Sequence, residues 1–370
     1  MAPSSVRDMV VKDDDLVAGT HGRGIWILDD ITPLRQLSVG ADPSVQPDPA
    51  EVAGRHTGRP LQRPVAGGHT GPPLQRPGVG ADLRVRAGET GLFKPQTAYR
   101  VRQNTNTDTP IPPDEAAGQN PPDGAIINYT LASPASGPVT LEILDTAGKP
   151  VRRYSSTDRN ENPDVATAPV PIYWYRAPQA LSGAAGMHRF LWDIHYQPIP
   201  GGGGGRGGLP IAAVPHDTVP APSGPWAPPG QYTVKLTVDG RSYTQPLTLK
   251  MDPRVTTAPA GLAQQFTLSK QLYDGIIGAQ KALDDIRAKR ASSSGDAAAK
   301  LQALEGQPGG RGAALDGPDT FNSVLGSMNQ LMGLLQGADT TPTTQLVAAV
   351  NKRRAAMAKL MARWAELNKG

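Results

Sequence analysis

Residues 231–251, QYTVKLTVDGRSYTQPLTLKM, contain two runs in which apolar and polar side chains alternate. A period of two places the apolar side chains of each run on one face of a β-strand. The two runs flank Asp239 and Gly240. An Asp-Gly pair suits a two-residue hairpin turn, because a type I′ turn requires a positive φ at both central residues. This stretch therefore predicts an antiparallel β-hairpin.

The same alternation recurs on the N-terminal side of this hairpin. It is carried by Ile127, Tyr129, Leu131, then by Val139, Leu141, Ile143, and then by His188, Phe190, Trp192 and Ile194. Six or seven short strands within residues 124–252 predict an antiparallel β-sandwich of the immunoglobulin-like type. We assign residues 92–253 to this domain. The run GGGGGRGG at residues 201–208 is predicted to be an exposed loop within it.

Beyond Pro253 the apolar period becomes helical, with spacings of three and four residues. Three amphipathic segments follow this spacing, beginning near Leu262, Phe321 and Leu346. They predict an antiparallel bundle or a long helical hairpin over residues 254–370, with Trp364 buried against Phe321 or Phe266. The alternative is a splayed tail, with an exposed methionine-rich face that binds a partner or a second copy. That face would contain Met328, Met332, Met357 and Met361. The fold class predicted for the whole chain is mainly β with an α-helical tail.

Residues 1–37 include DLVAGTHGRGIWILDDITPLRQL at 15–37, in which two apolar runs flank THGRG. Two β-type runs around a glycine-containing turn predict a hairpin. A lone hairpin is marginally stable in water, so these strands need partners.

Residues 38–91 show no apolar period. They contain a tandem repeat, VAGRHTGRPLQRP at 52–64 and VAGGHTGPPLQRP at 65–77. A unit this short and this poor in apolar residues cannot stack into a solenoid, so we predict a flexible linker rich in Pro, Gly and Arg. The chain's basic cluster lies mostly here, with few aromatic residues, and suits only weak, nonspecific polyanion binding. It comprises arginines 55, 59, 63, 76, 84 and 86.

Composition excludes several classes of function. The formal net charge is only +4, with acidic and basic residues interspersed, so no specific nucleic-acid binding is expected. The chain has no cysteine, which excludes disulfides and thiolate metal sites, and we expect no metal and no cofactor. No apolar run is long enough to span a membrane. The first 16 residues lack the apolar region of a signal peptide, so a signal for export is expected upstream of this sequence.

Five stretches resemble known families. DLVAGTHGRG followed by WILDDITPLR, within residues 15–37, resembles the last strand of a sortilin-type or bacterial-neuraminidase-repeat β-propeller. GPVTLEILDTAGKPVRRY (137–154), GMHRFLWD (186–193) and PPGQYTVKL (228–236) resemble the immunoglobulin-like domain of flagellar hook-capping proteins. LSKQLYD (268–274) resembles the helical tail of the large bacterial propeller proteins. The resemblance implies the C-terminal end of an extracytoplasmic, periplasmic or secreted protein.

Four residues are candidates for ligand binding. His21 and Arg23 would hold an anionic ligand, or else would cap strand ends beside a glycine turn. Asp29 and Asp30 would serve as a paired acid and base. Adjacent residues of an extended chain point to opposite faces, so a structural role beside a turn is the competing interpretation of this pair.

Other residues carry weaker hypotheses. His188, His195 and His216 are candidate metal ligands, but no acidic residue stands at a ligand-like spacing from them. Trp192 and Tyr196 are candidates for a platform on which a sugar ring stacks. The favoured interpretation is that they are core residues.

No nucleophile-elbow, zinc-protease or phosphate-loop motif occurs, and we assign no catalytic residue. The sequence predicts a non-catalytic accessory module. Its partner is its own propeller or a cell-envelope protein, and a homo-oligomer through the helical tail is a further option. The alternative is a truncated glycan hydrolase of the sialidase or xyloglucanase type that lacks its catalytic blades, since the aspartate-box repeat of such propellers is absent.

Overall fold

The computed structural model combines β-sheets with C-terminal helices. It describes residues 5–22, 24–38, 85–86, 88–102, 109–112, 114–115, 118–159, 164–166, 168, 170–200, 211–218, 224–307 and 317–369. Helix and strand make up about 33% and 26% of them. Sheets followed by helices were predicted, but a mainly β class is not supported, because the helices of the tail are longer and more numerous than the apolar pattern indicated.

The N-terminal sheet has three antiparallel strands where the sequence predicted two. Strand β1 (Val6–Lys12) pairs with β2 (Asp15–Thr20), and β2 pairs with β3 (Ile25–Leu28). The short helix α1 (Thr32–Gln36) follows, and β4 (Leu37–Ser38) then pairs in parallel with β5 (Val85–Arg86). The two ends of the predicted linker therefore lie side by side. The tandem repeat itself lies outside the described residues.

The central domain contains two sheets. The larger has the strand order β10-β9-β12-β13-β7 and the smaller the order β11-β8-β6. These strands are β6 (Gly91–Leu92), β7 (Ala98–Arg100), β8 (Ala125–Leu131), β9 (Thr140–Leu144), β10 (Pro150–Ser155), β11 (Gly186–Trp192), β12 (Gly230–Val238) and β13 (Arg241–Met251). A single turn of 3₁₀-helix spans Ile172–Trp174. All the pairs are antiparallel except β13 with β7.

The hairpin predicted from residues 231–251 is confirmed. Strands β12 and β13 pair around Asp239 and Gly240, whose φ angles are 47° and 79°. The Asp239 carboxylate also accepts a hydrogen bond from the Ser136 hydroxyl at 2.7 Å, which ties the turn to a neighbouring loop. Side chains from both sheets form one core, in which Trp192, Tyr129 and Leu236 are almost wholly buried.

In its described residues, the tail contains four helices, one more than predicted. They are α2 (Pro259–Ala291), α3 (Gly295–Glu305), α4 (Phe321–Gln336) and α5 (Thr344–Leu367). Trp364 is buried in the same apolar cluster as Phe321, and Met328, Met332 and Met357 lie in that cluster too. The tail therefore forms a bundle, and the splayed arrangement with an exposed methionine face is wrong.

We use the name sandwich for the two central sheets, which share one core. They meet the bundle at a buried charged contact. Arg100, at the end of β7, pairs with Asp339, in the segment between α4 and α5, and both side chains are about 5% exposed or less. Arg102 donates to the same carboxylate at 2.8 Å. Both guanidinium groups lie over the ring of Trp226, at 5.6 and 5.4 Å from its centroid. This cluster joins the two parts of the molecule.

Candidate docking surface

The register of the N-terminal sheet divides its side chains between two faces. Directly opposed residues of antiparallel strands share a face, and successive rows alternate. The rows Met9–Ala18–Trp26 and Val11–Leu16–Leu28 lie on one face, which we call the wide face. The row Val10–Val17–Ile27 lies on the other, together with Ile25, and we call this the narrow face. The rows of the wide face are therefore wholly apolar, whereas the narrow face also carries the charged residues Asp8, Lys12 and Asp15.

The two outer strands of this sheet expose much of their apolar side-chain surface. The large apolar side chains of β1 and β3 are between 41% and 74% exposed to solvent. They are Val6, Met9, Val10, Val11, Ile25, Trp26, Ile27 and Leu28. Monomeric proteins rarely expose contiguous apolar patches of this kind, which mark interaction sites. Both faces of the sheet are thus candidate contact surfaces.

A buried aspartate links this sheet to the sandwich. Asp30 is 2% exposed and has a φ of 58°, which is uncommon for residues other than glycine but is tolerated by aspartate. Its carboxylate accepts hydrogen bonds from the Thr32 amide (3.0 Å), the Thr32 hydroxyl (2.5 Å) and Asn128 Nδ2 (2.8 Å). The Asp30 amide donates to the carboxylate of Asp15 on β2 at 2.9 Å. Asp30 thus bonds to the sheet and to the sandwich at once.

Arg189 on β11 completes this contact, which we call the latch (Asp15, Asp30, Thr32, Asn128 and Arg189). Arg189 Nε donates to Asn128 Oδ1 at 3.1 Å. Its Nη2 donates to the carbonyl oxygens of Asp29 (2.7 Å) and Asp30 (3.1 Å). Hydrogen bonds to a charged donor are stronger than neutral ones, so Arg189 strengthens the connection between the two sheets.

Helix α1 supplies a second connection. Arg35 pairs with Asp14 and also donates to the carbonyl of Asp13 at 3.0 Å, in the turn between β1 and β2. The Gln36 side chain donates to the carbonyl of Lys94 at 2.9 Å and accepts from its amide at 2.7 Å. The N-terminal sheet is therefore fixed at one end, while the apolar side chains of its outer strands are exposed.

The four predicted ligand residues have different positions. His21 lies exposed in the turn after β2, and its amide donates to the carbonyl of Ser5 at 3.0 Å. Arg23 lies outside the described residues. Asp29 is half-buried, and its carbonyl accepts from Arg189. The Asp30 carboxylate is occupied by the latch, so the structure favours the structural interpretation of this aspartate over acid-base chemistry.

The aromatic candidates are buried or half-buried in the central domain. Trp192 is fully buried, and its indole N–H donates to the carbonyl of His195 at 3.0 Å. Tyr196 is half-buried and packs on Phe266 of α2 at 5.7 Å between ring centroids. Trp192 therefore cannot stack on a sugar, and the ring of Tyr196 is in contact with Phe266, Tyr273 and Lys270.

The three histidines do not form a cluster. The ring of His195 packs on Trp226 at 3.9 Å, and burial lowers its pKa to about 4. His188 Nε2 lies 2.7 Å from the carbonyl of Ala184, and His216 lies in a loop with a φ of 63°. Among the described residues, no group of three or more His, Cys, Asp or Glu is placed to hold a metal ion.

Sequence reasoning did not find strand β1 or the latch. The consecutive apolar residues Met9, Val10 and Val11 were the available signal for β1, but they stand beside Arg7, Asp8 and Lys12 and show no alternation. The latch joins Asp30 to Asn128, which are 98 positions apart. No local pattern connects residues so distant in sequence.

Comparison with protein-family models, with curated proteins and with solved structures gave no match. Among the described residues, no helix has the length and apolar character needed to cross a membrane.

Proposed function

We propose that this chain is a non-catalytic accessory and interaction module from the C-terminal end of an extracytoplasmic β-propeller protein. Its N-terminal sheet binds the propeller, its sandwich is an immunoglobulin-like spacer, and its helical bundle completes the appendage. The observation that carries this proposal is the exposed apolar sheet, fixed to the sandwich by the buried latch. A sheet that is only a frayed terminus needs no buried polar contact of this kind.

The strand pattern supports a β-rich partner. Strand β3 reads IWIL, four consecutive apolar residues without the polar alternation of a half-exposed strand. Such continuous runs are typical of strands that are covered on both faces. An antiparallel meander of three strands also agrees with the propeller resemblance of residues 15–37, because propeller blades are antiparallel sheets that pack face to face.

The alternative, a glycan hydrolase, needs two carboxylates that are free to act on a substrate. Asp29 and Asp30 were the candidates, and the Asp30 carboxylate accepts three hydrogen bonds within the latch. No other observation on the described residues favours hydrolysis, so we assign the molecule to interaction and not to catalysis.

The test is a binding experiment with a bacterial-neuraminidase-repeat propeller from which the last blade has been deleted. We expect the full chain to form a 1:1 complex with this opened propeller, measured by size-exclusion chromatography with light scattering. The fluorescence of an apolar dye bound to the free chain should fall on mixing, because the apolar faces become covered. The intact propeller, whose gap is already filled, is the matched control and should not bind.

Absence of a complex at about 100 μM of each protein would contradict this proposal, since that concentration detects even weak association. Equal binding to the opened and intact propellers would also contradict it, because the sheet would then recognise an outer surface and not a gap.

A further inference from the structure

We infer that His195 makes the junction between the sandwich and the bundle sensitive to acid: protonation of its buried ring opens the junction while the two cores stay folded. The residues that form this junction are Trp226, Arg100 and Arg102 from the sandwich and Gln336 and Asp339 from the bundle. The inference does not depend on the proposed function, because it concerns this junction and not the N-terminal sheet.

Backbone pairing holds the ring of His195 against Trp226. The two residues are opposed in an antiparallel bridge, and beside it the Ala227 amide donates to the carbonyl of Ile194 at 2.8 Å. His195 is 5% exposed, and its ring centroid lies 3.9 Å from that of Trp226. The Trp226 amide donates in turn to the side chain of Gln336 on α4 at 2.8 Å. A single residue therefore separates the imidazole from the bundle.

The hydrogen bond of the ring fixes which of its nitrogens carries the hydrogen. Nδ1 of His195 lies 2.6 Å from the carbonyl oxygen of Asp193, which can only accept, so Nδ1 donates and the lone pair is on Nε2. A second proton is therefore added at Nε2, and it places a full positive charge on a buried ring. Burial disfavours that charged form and lowers the pKa of His195 to about 4.

The surrounding charged groups do not compensate for burial. The Asp193 carboxylate favours a positive charge on the ring, but it is already paired with Arg152 at 3.7 Å, and Arg152 and Arg100 both disfavour that charge. The other titratable groups of this region are Arg102 and Asp339 at the junction, Tyr154 on β10, Tyr232 on β12 and Tyr273 on α2. An imidazolium on an indole face is normally attractive. Here the indole of Trp226 already lies under the guanidinium groups of Arg100 and Arg102, so a protonated imidazole adds a third cation.

Acid should therefore favour the open junction. When the junction opens and water reaches the ring, the pKa of His195 returns to its ordinary value of 6.5. Between pH 6.5 and pH 4 the open state then binds a proton that the closed state largely does not, so the closed state loses stability as the pH falls through this window. For one such proton, the equilibrium constant for opening should rise about 30-fold between pH 7.5 and pH 5.

The amide of Trp226 reports on this opening, because its acceptor belongs to the bundle. The measurement is amide hydrogen exchange of the full chain by NMR at pH 7.5 and pH 5, corrected for the pH dependence of the intrinsic exchange rate. In the wild type, the protection factor of the Trp226 amide should fall about 30-fold on acidification. The amides of Val234 in β12 and Leu360 in α5 lie within the two cores, and their protection should fall by less than about threefold.

Two substitutions of His195 remove its proton-binding site in different ways. His195→Asn keeps an amide donor for the carbonyl of Asp193, whereas His195→Phe keeps a ring on Trp226, and neither side chain takes up a proton in this pH range. In both variants the protection of the Trp226 amide should change by less than about threefold between the two pH values. His216→Asn is the matched control, because His216 is exposed, lies outside the junction and has a positive φ that asparagine tolerates. It should retain the wild-type response.

Three results would each overturn the inference. If protection of the Trp226 amide in the wild type falls by less than about threefold, the ring is protonated without opening the junction. If it falls equally in the two His195 variants, another group such as the Asp339 carboxylate carries the response. If the three amides lose protection together, acid unfolds the whole chain and not the junction. Circular dichroism of each variant verifies folding, and if one His195 variant is unfolded, the other decides. The propeller-binding experiment tests the proposed function separately.

Discussion

At the scale of single residues, Asp30 determines how the N-terminal sheet is presented. A buried carboxylate is costly unless it is compensated by hydrogen bonds. Asp30 meets this condition with donors from its own turn and from Asn128 of the sandwich. The same residue has a positive φ, so a side chain that tolerates this conformation is required in addition to the hydrogen bonds.

Replacing Asp30 by glycine tests the latch without adding backbone strain, since glycine adopts positive φ freely. Asp30→Gly leaves the Asn128 amide and the Thr32 donors without their acceptor, which should cost about 1–3 kcal/mol in the local stability of the sheet. We expect amide hydrogen exchange in strand β2 to accelerate by roughly 5- to 150-fold.

Asp29→Gly is the matched control, because the neighbouring carboxylate is half-buried and the latch uses only its backbone carbonyl. It should change exchange in β2 by no more than about twofold. Equal acceleration in the two variants would show that the effect arises from added chain entropy and not from the latch.

At the scale of secondary-structure elements, helix α5 shows how a periodic stripe becomes a buried core. Val350, Met357, Leu360 and Trp364 recur at helical spacing and are all buried. The side chain of Thr343 caps the helix by accepting from the Leu346 amide at 3.2 Å. Trp364 lies in the last two turns, and its burial ties the end of α5 to the cluster that contains Phe321.

Truncating this tryptophan should destabilise the bundle. For Trp364→Ala we expect a loss of about 3–5 kcal/mol, because the substitution removes a large buried ring and leaves a cavity. Urea unfolding followed by circular dichroism at 222 nm measures it, since most of the helical signal comes from the bundle. Leu334→Ala on α4 is the control. Leu334 is 56% exposed, so its truncation should stay within about 0.5 kcal/mol. A loss for Trp364→Ala no greater than this would contradict the packing.

The elements that were predicted correctly are those with a strong local signal. The β12–β13 hairpin follows from alternation and the Asp239-Gly240 turn, and α2, α4 and α5 follow from stripes at three- and four-residue spacing.

Helix α3 was missed because Leu301 and Leu304 are its only large apolar residues and alanines fill much of the rest. The parallel pairing of β7 with β13 joins positions about 150 residues apart, and no local pattern specifies such a contact. The candidate ligand residues lie in or beside the exposed sheet, but the division of its side chains between a wholly apolar face and a mixed face emerges only from its register.

At the scale of the whole molecule, two cores are connected by a few buried charged and polar contacts and by the packing of Tyr196 on Phe266. The sandwich core and the bundle core are separate clusters. Between them, the Asp339 carboxylate is shared by Arg100 and Arg102. Burial lowers the pKa of Arg100, and the neighbouring Asp339 opposes this shift. The Gln336 side chain also accepts from the Trp226 amide at 2.8 Å and donates to the Ser269 hydroxyl at 2.6 Å. Because the latch holds the N-terminal sheet to the sandwich, this junction also sets where the bundle stands relative to the docking surface.

Asp339→Ala should therefore uncouple the two cores. The substitution leaves the buried Arg100 guanidinium without its counter-charge, and breaking a buried pair by removing one partner costs about 3–5 kcal/mol. Differential scanning calorimetry should show the bundle unfolding at a lower temperature, as a transition separate from that of the sandwich.

The control is Asp274→Ala, which removes an exposed i,i+4 pair with Lys270 on α2 and should cost no more than about 0.5 kcal/mol. The double variant Arg100→Met, Asp339→Leu replaces both charges with apolar groups and should recover most of the loss, because no unpaired charge remains. If the double variant is as unstable as Asp339→Ala, the charge pair is not the cause, and the geometry of the segment between α4 and α5 must carry the coupling instead.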